Sequence, residues 1–246
     1  MKTMTALALI LASASTAYAA GPHGNESFIE QVGAYNEAQI SQKNGNNDQA
    51  TFQAGAKNSV LTDQVSKLRR GQNSSGNVQV GQGNTASTSQ VNKADAENAR
   101  FTNNSFTAQF GTKNDSVVEQ TGGKNDQGTL QIGDKNFAGV SQINSSSTRP
   151  SARPVGADNA AFATQIGSSN RSATFQTSKD KVQDGDLMAG HSNNSMSLQI
   201  GVANETRTRQ ESIGGKANGP ANSAAAVQIG RENFETTLQG GHVEDA

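Results

Sequence analysis

Two short stretches and three lone histidines of this 246-residue chain carry residue types that could do chemistry. Gly81-Gln82-Gly83-Asn84-Thr85-Ala86 has the G-x-G-x-x-A spacing with which a glycine turn cradles a dinucleotide pyrophosphate at a helix N-terminus. Asp184-Gly185-Asp186 offers two carboxylates of the kind that ligate Ca²⁺, but the nonapeptide repeat of calcium-binding β-rolls is missing. His23, His191 and His242 are isolated from one another and from any metal-ligand spacing. No G-x-S-x-G or comparable nucleophile arrangement is present. The glycine pattern has no helical pattern behind it, so the reading is no catalytic residue, no cofactor and no metal. The abundant functional group is the side-chain amide, with 25 Asn and 22 Gln among the 246 residues. An amide both donates and accepts, so the chemistry it does best in numbers is to hydrogen-bond to copies of itself.

Spacing decides whether those amides are organised. With Gln31, Gln53, Gln79, Gln109, Gln131, Gln165, Gln199 and Gln228 as position 0, a Gly follows at +2 in every case (Gly33, Gly55, Gly81, Gly111, Gly133, Gly167, Gly201, Gly230). An Asn stands at −6: Asn25, Asn47, Asn73, Asn103, Asn125, Asn159, Asn193 and Asn222. Another stands at +5: Asn36, Asn58, Asn84, Asn114, Asn136, Asn170, Asn204 and Asn233. A second Gln stands at +11: Gln42, Gln64, Gln90, Gln120, Gln142, Gln176, Gln210 and Gln239. The motif N-x5-Q-x-G-x2-N-x5-Q therefore occurs eight times without exception. Anchor spacings are 22, 26, 30, 22, 34, 34 and 29, and all variation falls between one motif's last Gln and the next anchor. A rigid motif with an elastic connection predicts a fixed structural rung with tolerated surface loops. Ser145-Ser146-Ser147-Thr148-Arg149-Pro150 and Lys179-Asp180-Lys181 read as such loops, and Pro150, Pro154 and Pro220 all fall in connections.

The elements that position the amides follow from period-two alternation. Each motif reads as strand, turn, strand, with Gly and Asn of G-x-x-N supplying the φ > 0 positions of the turn. One such unit cannot bury its own face; eight stacked in register can. The expected fold is all-β, a solenoid of eight strand–turn–strand repeats with two strands per rung and Asn/Gln ladders along its axis. Turning the other face inward would bury Glu37, Asp63, Asp115, Glu119, Glu205, Arg207 and Arg209, which is prohibitive. The amides are therefore expected inside, with small or β-branched +7 and +9 residues such as Val60, Thr62 and Ala138 beside them. That leaves an apolar stripe on strand one, either exposed or covered by the long loops folding back: Val32, Val80, Phe110, Ile132, Ile166, Ile200 and Ile229 at +1, supported at −1 by Phe52, Leu130 and Leu198. Over ~38 Å of axis it covers ~500 Å², near the size at which exposed patches mark interaction sites. Asn-x-Ser/Thr sequons such as Asn25-Glu26-Ser27 and Asn204-Glu205-Thr206 arise from the repeat, which would hold those Asn inside.

Composition narrows the partners. Twenty basic and 21 acidic residues give a nearly neutral chain, and Lys67, Arg69 and Arg70 make only one short basic cluster, so nucleic acid is not an expected partner. Residues 1–19 read as a secretory signal peptide, with Lys2, the apolar run Leu7–Leu11 and Ala17-Tyr18-Ala19 before the cut. Residues 20–24 then form a short leader, 25–241 the eight repeats with their loops, and 242–246 a tail. The chain has no Cys, so an exported protein here is stable without disulfides.

A tandem N/S-x5-Q-x-G-x2-N-x5-Q repeat behind a signal peptide resembles curlin, the secreted subunit of bacterial curli amyloid fibres. The similarity spans Asn25 to Gln239 and keeps every amide position. It implies an extracellular functional amyloid of the biofilm matrix, growing by strand stacking, with a nucleator subunit and an outer-membrane secretion pore as partners besides the chain itself. Three features depart from the enteric curlin pattern: Asn rather than Ser at −6, apolar strand-one residues on the opposite parity, and a leader of only five residues. Independently of the resemblance, five residues before Asn25 and seven after Gln239 provide no obvious cap, so a head-to-tail, non-closing contact is expected to yield a filament. Loop charges such as Lys179, Asp180, Asp184 and Asp186 would act as gatekeepers against premature stacking. The competing expectation is a monomeric solenoid, an adhesin or nucleator that binds through the apolar stripe. An ice-binding array would need a regular outer Thr column, which the irregular +10 positions lack, and a carbohydrate-active β-helix would need clustered acids.

Overall fold

Alternation of small polar and larger residues makes every motif two short strands, and two positive-φ residues fold one strand over the other. In the computed structural model, residues 24–67, 71–92, 102–145, 158–179, 181–183, 186–188, 192–213 and 222–241 are described. The strands in chain order are β1 (Asn25–Ala34), β2 (Glu37–Lys43), β3 (Asn47–Ala56), β4 (Ser59–Ser66), β5 (Gln72–Gln82), β6 (Thr85–Asn92), β7 (Thr102–Thr112), β8 (Asp115–Gly122), β9 (Asn125–Asp134) and β10 (Phe137–Ser145). There follow β11 (Asn159–Ser168), β12 (Arg171–Lys179), β13 (Lys181–Gln183), β14 (Asp186–Met188), β15 (Asn193–Val202), β16 (Glu205–Ile213), β17 (Asn222–Arg231) and β18 (Phe234–Gly241).

Sixteen of these strands form two parallel eight-stranded sheets, ordered β1-β3-β5-β7-β9-β11-β15-β17 and β2-β4-β6-β8-β10-β12-β16-β18. Each motif thus gives one strand to each sheet, and the chain climbs one rung per motif as a β-solenoid. Register is the motif's own: Gln31 pairs with Gln53, Gln53 with Gln79, and Gln199 with Gln228, despite connections of different length. The longest connections displace nothing. One of them carries its own antiparallel pair, β13 with β14, where the sequence reads as plain loop from Lys179 onward.

The core between the sheets is polar. Its largest fully buried side chains are Gln, with Ala, Val, Ser and Thr packed around them. Val60, Thr62, Ala138 and Val140 are buried. The charges that opposite parity would have buried stand outside instead: Glu37, Glu119, Arg207 and Arg209 are exposed. Arg207 pairs with Glu205 at 2.7 Å and lies over the Phe234 ring.

The turn departs from expectation in one respect. Gly at +2 has positive φ, but the second left-handed residue is at +4 (Tyr35, Lys57, Gly83, Lys113, Lys135, Ser169, Ala203, Glu232), and not the Asn at +5. The Asn is held back from that role because its side chain bonds along the stack. Gly133 illustrates why +2 must be Gly: at φ 116° an added Cβ would lie 2.0 Å from the Gly167 carbonyl oxygen one rung on. The predicted signal peptide, the four Pro, the three His, Arg69, Arg70, Asp184 and the tail lie outside the described residues. The G-x-G-x-x-A segment runs from the end of β5 through a turn into β6, so no helix N-terminus follows it.

Candidate functional site: amide ladders and open ends

Four amide columns run the length of the solenoid. Both Gln columns link rung to rung, each Nε2 donating to the Oε1 of the next Gln toward the C-terminus at 2.6–2.9 Å. The −6 Asn column runs with opposite polarity: each Nδ2 donates to the Oδ1 of the preceding Asn at 2.8–3.0 Å. The +5 column does the same at 2.8–3.2 Å, and each Oδ1 also accepts the backbone N–H of the next Asn. Its Nδ2 groups reach the Gly carbonyl of the following rung as well, as Asn114 does to Gly133 at 2.8 Å.

The Gln side chains also clamp the two sheets together, a role that repeat counting did not anticipate. Gln131 donates to the Asp115 carbonyl on the opposite sheet, and Gln142 to that of Asp126. The same bond recurs at every Gln of both columns from Gln42 to Gln239, at 2.7–3.0 Å. In each case the acceptor is the residue just after an Asn of the facing strand. The motif holds N-x5-Q twice, so each rung is two halves whose Gln side chains bond equivalently. Where the connection is tight, as in Gln120-Thr121-Gly122-Gly123-Lys124-Asn125, even the positive φ values at +2 and +4 recur. That signal was present in the sequence.

The ladders end in complementary groups. Among the described residues no element pairs with the outer edges of β1 and β2 or of β17 and β18. At the first rung Gln31 and Gln42 have no Gln before them to donate to their Oε1, and Asn25 and Asn36 Nδ2 donate to backbone carbonyls alone; at the last, Gln228 and Gln239 Nε2 donate to backbone carbonyls alone, and Asn222 and Asn233 have no Asn beyond them to donate to their Oδ1. The core is open there too: the inward-facing Ile29 is 45% exposed. Asn25 is likewise exposed, against the expectation that repeat Asn are all enclosed, because it has a neighbour on one side only; Asn204, mid-stack, is fully buried. The last rung holds one anomaly. Inward position +7 is Ala38, Val60, Ala86, Ser116, Ala138, Ser172 and Thr206 in turn, and then Glu235, the one ionisable residue at an inward position of the two eight-stranded sheets among the described residues. It accepts a hydrogen bond from Thr237.

On strand one's outer face Val32, Phe110, Ile132, Ile166 and Ile229 are exposed, while Val80 and Ile200 are half-buried. The face is wider than the two columns read from sequence, because position −3 adds Phe28, Phe106, Phe162 and Met196. Phe106 lies over Gly76, and Phe162 over Gly128, where a Cβ would meet the ring at 3.0 and 2.7 Å. Compared with protein-family models, curated proteins and solved structures, the chain matches none.

Proposed function

We propose that the chain is the structural subunit of an extracellular, curli-like functional-amyloid fibre, serving biofilm matrix, adhesion and surface colonisation. Secretion through an outer-membrane pore and priming by a nucleator subunit belong to this reading through the repeat's resemblance to curlin. The observation that carries it is the complementarity of the two open ends. Set in the register that every internal pair already uses, a second copy accepts Gln228 and Gln239 Nε2 on its own Gln31 and Gln42 Oε1. In return its Asn25 and Asn36 donate to Asn222 and Asn233 Oδ1. The contact is heterologous and leaves the same two ends free, so it propagates as a filament. Unpaired edge groups supply the driving force, since each regains a partner on stacking.

Incubating the mature chain over a concentration series, with thioflavin T fluorescence and electron microscopy, tests this. Unbranched fibres with a lag that seeds shorten are expected; a β-rich species that stays monomeric at every concentration would contradict it. The exposed apolar face favours one second reading, a monomeric adhesin or nucleator that binds through that face, and the monomeric outcome would select it.

A further inference from the structure

The outer face of the first sheet has three columns, at −3, −1 and +1 of each rung. Of its 24 positions only Glu30 and Thr164 carry polar side chains. Phe106, Phe162 and Met196 are about half exposed, so nothing among the described residues covers them. The two edges of this face carry opposite charge. Along the −5 edge lie Glu26, Asp48 and Asp126, and beyond them Lys124 is paired with Asp158 at 3.7 Å. Along the +3/+4 edge lie Lys57, Lys113, Lys135 and Arg231, exposed, and with Asp134 and Glu232 they leave that edge net positive.

We propose that this face is the lateral interface between two copies of the chain, packed sheet to sheet with their solenoid axes parallel and related by a half-turn about the axis. Only that arrangement brings unlike edges together. The half-turn exchanges the two edges, so Asp48 faces Lys57 of the other copy within rung 2 and Asp126 faces Lys135 within rung 5. A half-turn about the strand direction, giving antiparallel solenoids, sets acid against acid and base against base. The half-turn also lays the −3 column, with its hollows at Ala50 and Gly76, against the bulkier +1 column. The face of one chain measures ~38 by ~13 Å, so a pair buries ~1,000 Å², the lower bound for a specific interface. In a filament that area repeats with every subunit. Axial stacking as proposed above therefore strengthens lateral pairing, while a single pair already reaches the area of a specific dimer in solution.

Mass per unit length of fibres by scanning transmission electron microscopy tests the proposal. The wild-type chain is expected to give twice the value of one solenoid. Lys57→Glu with Lys135→Glu should halve it while fibres still form and bind thioflavin T. Adding Asp48→Lys and Asp126→Lys, which restores unlike edges, should return it to double. A wild-type value of one solenoid overturns the proposal, as does a double value indifferent to the charge variants. Should no fibres form, the stacking reading fails separately, and sedimentation equilibrium of the soluble chain decides the face: a dimer split by Lys57→Glu with Lys135→Glu supports it, and a monomer overturns it.

Discussion

A single amide in this protein answers to three partners at once: its own copy above, its copy below, and the backbone of the facing strand or turn. Asn136 bonds Asn114 Oδ1 and the Gly167 carbonyl and accepts both the backbone and side-chain N–H of Asn170. Asn136→Ala leaves these groups buried without partners, so chemical denaturation should show a loss of about 2–4 kcal/mol. Replacing Gln131 and Gln142 with Lys sets two like charges in the interior beside amides that have lost their partners, so thioflavin T should record no fibres from that variant. Burial raises the Asp115 carboxyl above the ordinary aspartate range, against a smaller lowering by the Ser116 backbone N–H. Its folded form holds a proton more tightly than the unfolded chain does. The stabilisation is therefore complete at acid pH and is lost as pH rises through the folded value. Asp115→Asn should melt slightly higher than wild type at neutral pH, and the gap should close on acidification.

At the scale of the element, the rung is indifferent to what joins it to the next. Gln142 and Asn159 are separated by 16 residues and Gln120 and Asn125 by four, yet both pairs of rungs stack in the same register. Substituting Thr-Gly-Gly-Lys for residues 143–158 should keep the circular dichroism spectrum and raise stability by about 1 kcal/mol through the shorter loop. This is also where sequence and structure agree most closely. Eight copies of two strands, their register and their inward parity follow from the motif, because a period of two admits only two faces and one of them holds Glu205, Arg207 and Arg209. Three features were harder to read. The left-handed +4 residue has no preferred type, being Tyr35 in one rung and Lys57 in the next, so sequence points to the Asn beside it. The cross-sheet bond from Gln131 to Asp115 ends on a backbone carbonyl, which carries no side-chain signature. The −3 column mixes Phe with Gly, and its apolar character emerges only when Phe106 is seen lying over Gly76.

For the whole molecule the ends matter more than the middle. Glu235 would be enclosed between Thr206 and Ala38 of an added copy, and burying a carboxylate there opposes the addition that the ladders favour. Under the proposed stacking Glu235 acts as a brake: Glu235→Gln should speed seeded elongation severalfold and lower the critical concentration, read by thioflavin T. The central claim, that the last rung receives the first rung of another copy in register, has a direct test because the chain contains no Cys. Val32 and Ile229 occupy the same position, +1, of the first and last rungs. With Val32→Cys and Ile229→Cys in one chain, in-register stacking brings the two Cys to a separation of ~4.8 Å, within disulfide reach. Oxidised fibres are then expected to run as a ladder of covalent oligomers on non-reducing denaturing gels and to collapse to monomer on reduction. Monomer alone after oxidation, or a ladder that forms only when Cys is moved from 229 to 227, would contradict the account.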